Sequence, residues 1–242
     1  MQMISELRKY YHRQWFFPSW LGVFTNPYYF ARSGLHRAMR DFAPTLSGRL
    51  LDVGCGSKPY RALFNVDEYI GLEFDSEAAR NNAVADFFYD GNRFPFEDAS
   101  FDAVLCNQVL EHVFNPDQFL SEIVRVLRPD GKLLLTVPFV WDEHEQPYDF
   151  ARYSTFGLRA LFEKSGLKFI EHKKLCADAS LLFQLVNAYL FKVMLGLPAR
   201  LKFLLTITVL AFFNLSGLLG RRLLPANPDL FLDHVVLAEK SR

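Results

Sequence analysis

The chain has 242 residues, of which 50% are apolar and 16% aromatic, and its formal net charge at pH 7 is zero. This length and composition predict one domain of ordinary size with appendages and exclude an intrinsically disordered chain. Zero net charge gives no general attraction to nucleic acid, so no nucleic-acid partner is expected. The cysteines, Cys55, Cys106 and Cys176, are far apart and show no metal-ligand spacing, which predicts a reduced cytoplasmic chain without a metal centre.

The first 45 residues form a segment rich in aromatic side chains, which we expect to be separate from the core. A basic start precedes a stretch without charge up to Arg32, as in a secretory signal peptide, but Pro18 and Pro27 interrupt any helix there and no small-residue cleavage site follows. Aromatic rings with polar edges favour the membrane–water boundary. The segment is therefore expected to contact a membrane or to cover the catalytic domain as a lid, and residues 32–43 are predicted to be helical. The basic residues at its start are Arg8, Lys9, His12 and Arg13.

The apolar run at 50–53 includes Asp52 and leads into a turn made by Gly54, Cys55 and Gly56. This pattern predicts a buried parallel strand whose carboxyl end enters a tight turn, the place where doubly wound sheets hold nucleotide-like cofactors. Glycine lets the backbone approach a ligand closely there. The dinucleotide fingerprint requires a third glycine where this chain has Pro59, so an NAD-dependent dehydrogenase is disfavoured.

Polar side chains follow each of the next three predicted strands. Glu73 ends the strand at 68–73, and it lies about 20 residues beyond the turn, the spacing at which a carboxylate accepts hydrogen bonds from ribose hydroxyls. Asp90 and Gly91 follow a third strand, and Asn107 ends a buried strand at 100–107. Residues 60–64, 110–113 and 119–127 are predicted to be helical, and residues 128–131 are predicted to form a turn. Continuously apolar strands that alternate with helices predict a parallel sheet covered on both faces.

These motifs resemble, in order and spacing, those of the class I S-adenosylmethionine-dependent methyltransferases that act on small molecules, the methyltransferase type 11 group. The resemblance covers residues 46–175, and Asp130 departs from it at a turn where the family commonly has glycine. It implies a doubly wound, Rossmann-like α/β fold with a seven-stranded sheet, parallel except for one antiparallel strand. The motifs that carry it are Leu51–Gly56, Gly71–Glu73, Phe94–Phe96, Ser100–Asp102, Leu110–His112 and Arg125–Lys132.

The resemblance also implies S-adenosylmethionine as the cofactor. The two glycines of the turn would line its methionine portion, and the acid after the second strand would hold the ribose. The acid and glycine after the third strand would meet the adenine edge, and the amide after the fourth would face the sulfonium. The implied cofactor-binding residues are Asp52, Gly54, Cys55, Gly56, Glu73, Asp90, Gly91 and Asn107.

The segment at 139–154 leaves the carboxyl edge of the sheet, where open α/β folds carry out their chemistry. A similar string of residues occurs in methyltransferases of cell-surface polysaccharide and lipid biosynthesis. We expect His144 to be the general base for an oxygen acceptor, because neutral imidazole can take a hydroxyl proton near pH 7. Asp149 could orient it and Arg152 could hold an anionic or sugar acceptor; the alternative is a structural network. His112 is a second candidate base, although its position in the family suggests a structural role.

The sixth strand is predicted at 167–172 and the seventh at 234–240, with two apolar helices between them at 179–197 and 201–220. Both strands belong to one sheet, so the insertion crosses a bilayer either twice or not at all. Arg200 and Lys202 in the turn between the helices disfavour two crossings. The second helix is also weakly hydrophobic for a span, because it contains Thr206, Thr208, Asn214 and Ser216. We expect a hairpin that lies in the cytoplasmic leaflet of the inner membrane, associated peripherally or monotopically. A homodimer interface or an extension of the core is the alternative.

The sequence thus predicts four parts: an aromatic segment at 1–45, a methyltransferase core at 46–175, an apolar helical insertion at 176–230 and the last strand at 231–242. The expected function is O-methylation of a membrane-associated glycan or lipid-linked acceptor. A quinone-like aromatic lipid is an alternative acceptor, and a non-catalytic cofactor-binding membrane adaptor is an alternative of another class.

Overall fold

The computed structural model describes residues 10, 13–82 and 84–241, so the predictions on Arg8, Lys9 and His12 lie outside the described residues. The chain forms two compact units. The first contains the described residues up to Ala38, Val140–Asp142 and Lys174–Leu232. The second contains Met39–Phe139, Glu143–Lys173 and the residues from Asp233 onward. The described part of the aromatic N-terminal segment up to Ala38 and the apolar insertion, which the sequence treats separately, therefore belong to the same unit.

One seven-stranded sheet, in the order β3-β2-β1-β4-β5-β7-β6, organises the second unit. The pairs β1–β2, β1–β4, β2–β3 and β4–β5 are parallel, and β5–β7 is antiparallel. This confirms the predicted Rossmann-like sheet with one strand running against the others. The strands are β1 Arg49–Val53, β2 Glu68–Phe74, β3 Phe87–Tyr89, β4 Phe101–Asn107, β5 Leu127–Pro138, β6 Leu167–Leu175 and β7 Asp233–Lys240.

The central strands are apolar along their length because both faces of the sheet are covered. Leu51 of β1, Val104 of β4 and Leu135 of β5 are fully buried in one cluster. The helix Pro116–Val126 presents apolar residues at helical spacing to this cluster, including Ile123. The helices that lie wholly in this unit are Glu77–Asn82, Pro116–Val126 and Thr155–Lys164.

Two of the short helices predicted from the sequence are wrong. Residues 60–64 and 110–113 were expected to be helical, whereas the structure has only single 3₁₀ turns at Arg61–Leu63 and Leu110–His112. The second turn ends before Asn115, whose side chain caps the helix that begins at Pro116. A residue before proline is disfavoured in the α conformation, so the helix cannot start earlier. The predicted turn at 128–131 is continuous with β5, and Asp130 adopts the left-handed conformation, with φ 61°, that favours glycine.

The first unit is helical. It contains Gly22–Thr25, the beginning of the Tyr29–Phe42 helix, Ser180–Val193 and a long helix from Ala199 to Leu223 that widens into a π turn at Thr206–Leu210. Pro198 separates the last two, because proline cannot donate the backbone hydrogen bond of a helix interior. Gly217 lets the ring of Phe30 approach the long helix closely. The apolar helical hairpin predicted before the last strand is confirmed.

Buried amides join the N-terminal segment to this hairpin. Asn187 Nδ2 donates to Asn214 Oδ1 at 2.9 Å, and Asn214 Nδ2 donates to the carbonyl oxygens of Val23 and Asn26 at 2.9 and 3.1 Å. Gln184 accepts from the backbone N–H of Phe30 and Ala31 and donates to Pro27. These side chains are buried, so their hydrogen bonds fix which helix faces meet in a unit that is otherwise apolar.

Candidate active site

The glycine turn after β1 lies against the end of β2. The N–H groups of Gly54 and Cys55 both donate to Leu72 O, at 2.9 and 3.2 Å. Gly54 has φ 68°, and a Cβ there would collide with Val109, so this position requires glycine for two reasons. Gly56 also has a positive φ, but open space surrounds it on the side where a Cβ would project. The turn therefore presents bare backbone to a ligand.

Glu73, at the end of β2, connects directly to this turn. Its Oε2 accepts from the Gly56 N–H at 2.7 Å and its Oε1 accepts from the Phe74 N–H at 3.1 Å. The side chain is half-buried. Glu73 therefore contacts the glycine turn directly, and its predicted role toward ribose hydroxyls stays a prediction.

Asp52 is buried beneath the turn, and its partner was not anticipated. Tyr69 Oη donates to Asp52 Oδ2 at 2.5 Å. Burial raises the pKa of Asp52 to about 7, with Tyr69 opposing the rise through its hydrogen bond. The strand register explains this contact. Asp52 of β1 pairs with Gly71 of β2, and Tyr69 lies two residues before Gly71 on the same face of β2.

A second unanticipated contact involves Lys58 and Asp86. Asp86 Oδ2 accepts from Lys58 Nζ at 2.6 Å and from the Gly71 N–H at 2.7 Å, which ties the loop after the glycine turn to β2. Cys55 lies nearby, and burial raises the pKa of its thiol to about 12. The thiol is therefore neutral, which fits a packing role in the turn better than a nucleophilic one.

The remaining predicted cofactor-binding residues are Asp90 and Gly91 after β3 and Asn107 at the end of β4, and both polar side chains make hydrogen bonds to nearby residues. Asp90 is exposed and accepts from the Asn92 N–H at 2.9 Å, a contact that lowers its pKa, while Gly91 has φ 89°. At the end of β4, Asn107 Oδ1 accepts from the Thr136 hydroxyl of β5 at 2.8 Å. The roles of these residues toward adenine and sulfonium stay predictions.

The segment after β5 positions His144 through Asp149. Asp149 Oδ2 accepts from the His144 N–H at 3.0 Å and lies 3.3 Å from His144 Nδ1. Arg152 donates to both oxygens of Asp149, at 2.6 and 2.7 Å, and this hydrogen-bonded pair lowers the pKa of Asp149 to about 2. Asp149 thus contacts His144 as predicted. Arg152 is engaged by the same carboxylate, and its predicted role toward an acceptor stays a prediction.

His112 lies beside His144, although the two are far apart in sequence. Their ring centroids are 4.7 Å apart, and His112 Nδ1 lies 2.7 Å from Tyr148 O. Burial lowers the pKa of His112. Glu111, which sequence reasoning did not select, is fully buried and its Oε1 is 3.8 Å from His112 Nε2. Burial raises the pKa of Glu111 to about 8.

All of the predicted site residues belong to the second unit. The predicted cofactor-binding residues lie at or after the ends of β1, β2, β3 and β4. The two histidines, His112 and His144, follow β4 and β5. β1 and β4 are adjacent and parallel, while the chain order runs outward from them in both directions. This is the topological switch point at which open α/β sheets bind ligands.

The doubly wound sheet and the glycine turn after β1 are the features expected of a class I S-adenosylmethionine-dependent methyltransferase domain, whose cofactor is S-adenosylmethionine. A family model described as a methyltransferase domain matches residues 51–135, which run from β1 into β5.

Curated relatives and a solved structure are similar to parts of this chain. The chain is 35% identical to a probable S-adenosylmethionine-dependent methyltransferase of Mycolicibacterium smegmatis over 48% of each chain. It is 39% identical to a fatty-acid O-methyltransferase of the same organism, over 36% of each. The matches thus span less than half the length of these relatives. The structure of phosphoethanolamine N-methyltransferase 2 of Haemonchus contortus, in complex with S-adenosyl-L-methionine, is similar in fold, with a TM-score of 0.55 and 17% identity, over 92% of this chain and 56% of that one.

Proposed function

We propose that this protein transfers the methyl group of S-adenosylmethionine to an oxygen of a lipid-linked or membrane-associated glycan acceptor. The observation that carries the choice of an oxygen acceptor is the His144–Asp149 pair on the segment that leaves β5. A neutral imidazole held by a carboxylate is the usual arrangement for removing a hydroxyl proton.

The chemistry demands little else from the protein. The sulfonium is already activated, so the enzyme must align the acceptor oxygen with the methyl carbon and exclude water. The hydroxyl proton passes to the imidazole of His144 as the oxygen bonds to the methyl carbon. The electron pair of the broken carbon–sulfur bond stays on sulfur, which leaves S-adenosylhomocysteine.

The first unit supports an acceptor at a lipid surface because it exposes apolar side chains at helical spacing. Its long helix, Ala199–Leu223, is long and apolar enough by length and composition to cross a membrane, and 28% of its most apolar window is buried. The outward side chains form one stripe on each helix of the hairpin. These exposed stripes are Leu182, Val186, Tyr189 and Val193, and Phe212, Leu215, Leu219 and Leu223.

The charges of the insertion fit an anionic lipid surface. Although the whole chain is neutral, the stretch from 174 to 232 has six basic and two acidic residues. An apolar helical face flanked by basic side chains binds in the interface plane, with the cations at lipid phosphates. The basic residues are Lys174, Lys192, Arg200, Lys202, Arg221 and Arg222, and the acidic ones are Asp178 and Asp229.

A quinone-like aromatic lipid is the second candidate acceptor, favoured by the same exposed stripes, since it would also be reached from the bilayer. A non-catalytic, cofactor-binding membrane adaptor is the third. The His144–Asp149 pair argues against the adaptor, because a chain that binds the cofactor without transferring its methyl group needs no base for an acceptor.

The His144→Gln variant tests the reaction. We expect it to bind S-adenosylmethionine with wild-type affinity and to lose about 10²- to 10⁴-fold in transfer of radiolabelled methyl to a membrane lipid extract of a deletion strain. His172→Gln, which replaces a histidine outside the pair, is the matched control and should keep turnover. Unchanged turnover in His144→Gln would remove His144 from the mechanism.

The acceptor itself is identified by mass spectra of the lipids and glycans of the deletion strain. We expect one species to lack a single methyl increment. An unmethylated quinone in place of a glycan would select the second candidate, and unaltered spectra would contradict both.

A further inference from the structure

Three side chains that can bind a metal ion meet where β4 and β5 end, and the proposed mechanism uses only one of them, His144. Within the described part of the chain, Glu111, His112 and His144 bring a carboxylate oxygen and two imidazole nitrogens within 4.8 Å of one another. Two of the donors come from adjacent residues after β4 and the third from the segment after β5. The sequence predicts no metal centre because these ligands follow no local spacing, and only the fold brings them together.

Glu111 provides an independent reason to look for a missing ligand. It is fully buried, and in the described structure neither carboxyl oxygen has a hydrogen-bond partner. A buried carboxyl group without a partner costs free energy that folding must offset. A cation next to these oxygens would remove that cost.

Both imidazoles are already held on their Nδ1 side. His112 Nδ1 lies 2.7 Å from the Tyr148 carbonyl oxygen, and His144 Nδ1 lies 3.3 Å from Asp149 Oδ2. A backbone carbonyl and a carboxylate are the partners that orient metal-bound histidines in known sites. The Nε2 of His112 is then the atom turned toward Glu111, at 3.8 Å from its Oε1.

We propose that Glu111, His112 and His144 bind one divalent transition-metal cation of the zinc class. Ligands about 2.1 Å from a tetrahedral ion lie about 3.4 Å from one another, so small side-chain rotations would close the site. Two imidazoles and one carboxylate form the three-ligand set of zinc sites that keep an open position. Magnesium is disfavoured, because it requires oxygen ligands in an octahedral arrangement.

The use of this ion, though not its binding, rests on the proposed function. In the loaded enzyme His144 would be a ligand of the ion and would no longer be the base described above. The acceptor hydroxyl would occupy the open position and release its proton to water. The oxygen then bonds to the methyl carbon, and the carbon–sulfur electron pair stays on sulfur as before. A Lewis acid that lowers the pKa of a bound hydroxyl makes this possible near neutral pH.

The test is titration of the chelator-treated full chain with Zn²⁺ and with Co²⁺, followed by calorimetry and by the visible absorption of cobalt. We expect one ion per chain and the intense bands of four-coordinate cobalt. Glu111→Gln and His144→Gln should each weaken binding by at least about tenfold, since even the outer partners of metal ligands contribute that much. Glu145→Gln, which replaces an exposed carboxylate of the same segment, is the matched control and should bind as the wild type does.

Affinity for S-adenosylmethionine, measured on every variant, shows that each one is folded. Failure of the wild type to bind a stoichiometric ion, or wild-type affinity in Glu111→Gln, would overturn the metal site and leave the proposed methyl transfer standing. Stoichiometric binding by a protein that transfers no methyl group would support the site and contradict the proposed function instead.

Discussion

Asp52 and Glu73 are two carboxylates close to the same turn, yet their surroundings differ sharply. Glu73 is half-buried and accepts two backbone N–H groups, whereas Asp52 lies beneath the turn with the Tyr69 hydroxyl as its partner. Hydrogen bonds to a carboxylate favour its charged form, and burial disfavours it. Asp52 is therefore the acid in the cofactor turn whose charge depends on pH near neutrality, because burial raises its pKa to about 7.

This raised pKa makes a prediction about stability. Between pH 4 and pH 7 the folded chain holds a proton on Asp52 that the unfolded chain has released, so the free energy of unfolding falls as pH rises through this window. A shift from the usual 3.8 to about 7 corresponds to a loss of about 4 kcal/mol once both states are ionised. Urea unfolding at pH 5 and pH 8 measures the part of this loss that falls above pH 5, about 3 kcal/mol.

Asp52→Asn should lose less stability than the wild type over this range. Asp67→Asn, at an exposed position just before β2, is the control and should retain the wild-type loss. The variant is needed because burial also raises the pKa of Glu111, so Glu111 likewise lowers the free energy of unfolding as pH rises. Only the difference between Asp52→Asn and the wild type isolates the contribution of Asp52. Equal pH dependence in Asp52→Asn and the wild type would show that the Asp52 carboxyl is not desolvated.

At the scale of elements, the long helix of the insertion has two different faces. Thr206 and Asn214 are buried, and Asn214 bonds to the N-terminal segment and to Asn187. From the sequence, these polar residues only make the helix a poor bilayer span. In the structure they face inward, while Phe212 and Leu219 of the exposed stripes face outward. The interfacial placement proposed above requires such a one-sided arrangement.

Sedimentation with lipid vesicles tests these stripes. Phe212, whose side chain is 62% exposed, should be a binding contact, so Phe212→Glu should reduce binding to phosphatidylglycerol vesicles by about tenfold, the loss of one partly inserted ring plus charge repulsion. Phe156→Glu, at an 82% exposed ring of the second unit, is the matched control and should bind as the wild type does. Equal loss in both variants, or no vesicle binding by the wild type, would favour a protein partner for the stripes.

Over the whole molecule, local sequence patterns predict the strands and turns but not the side-chain contacts between distant parts of the chain. Continuous apolar runs predicted the strands, and the paired glycines predicted the tight turn after β1, since both depend on neighbours in the chain. The pairs Tyr69–Asp52 and Lys58–Asp86 depend on strand register, which no local pattern specifies. The meeting of His112 with His144 likewise depends on how the loops after β4 and β5 are brought together.

The most direct test of the central claim is calorimetric titration with S-adenosylmethionine. The wild type should bind one equivalent per chain, and Gly54→Ala should bind none, because the added Cβ would collide with Val109 at a backbone conformation that suits glycine. Gly196→Ala, at a position with open space around it, should bind like the wild type, and thermal unfolding should show that all three proteins are folded. A wild-type chain that takes up no S-adenosylmethionine, or a folded Gly54→Ala that binds it with undiminished affinity, would contradict the assignment of this turn as the cofactor site.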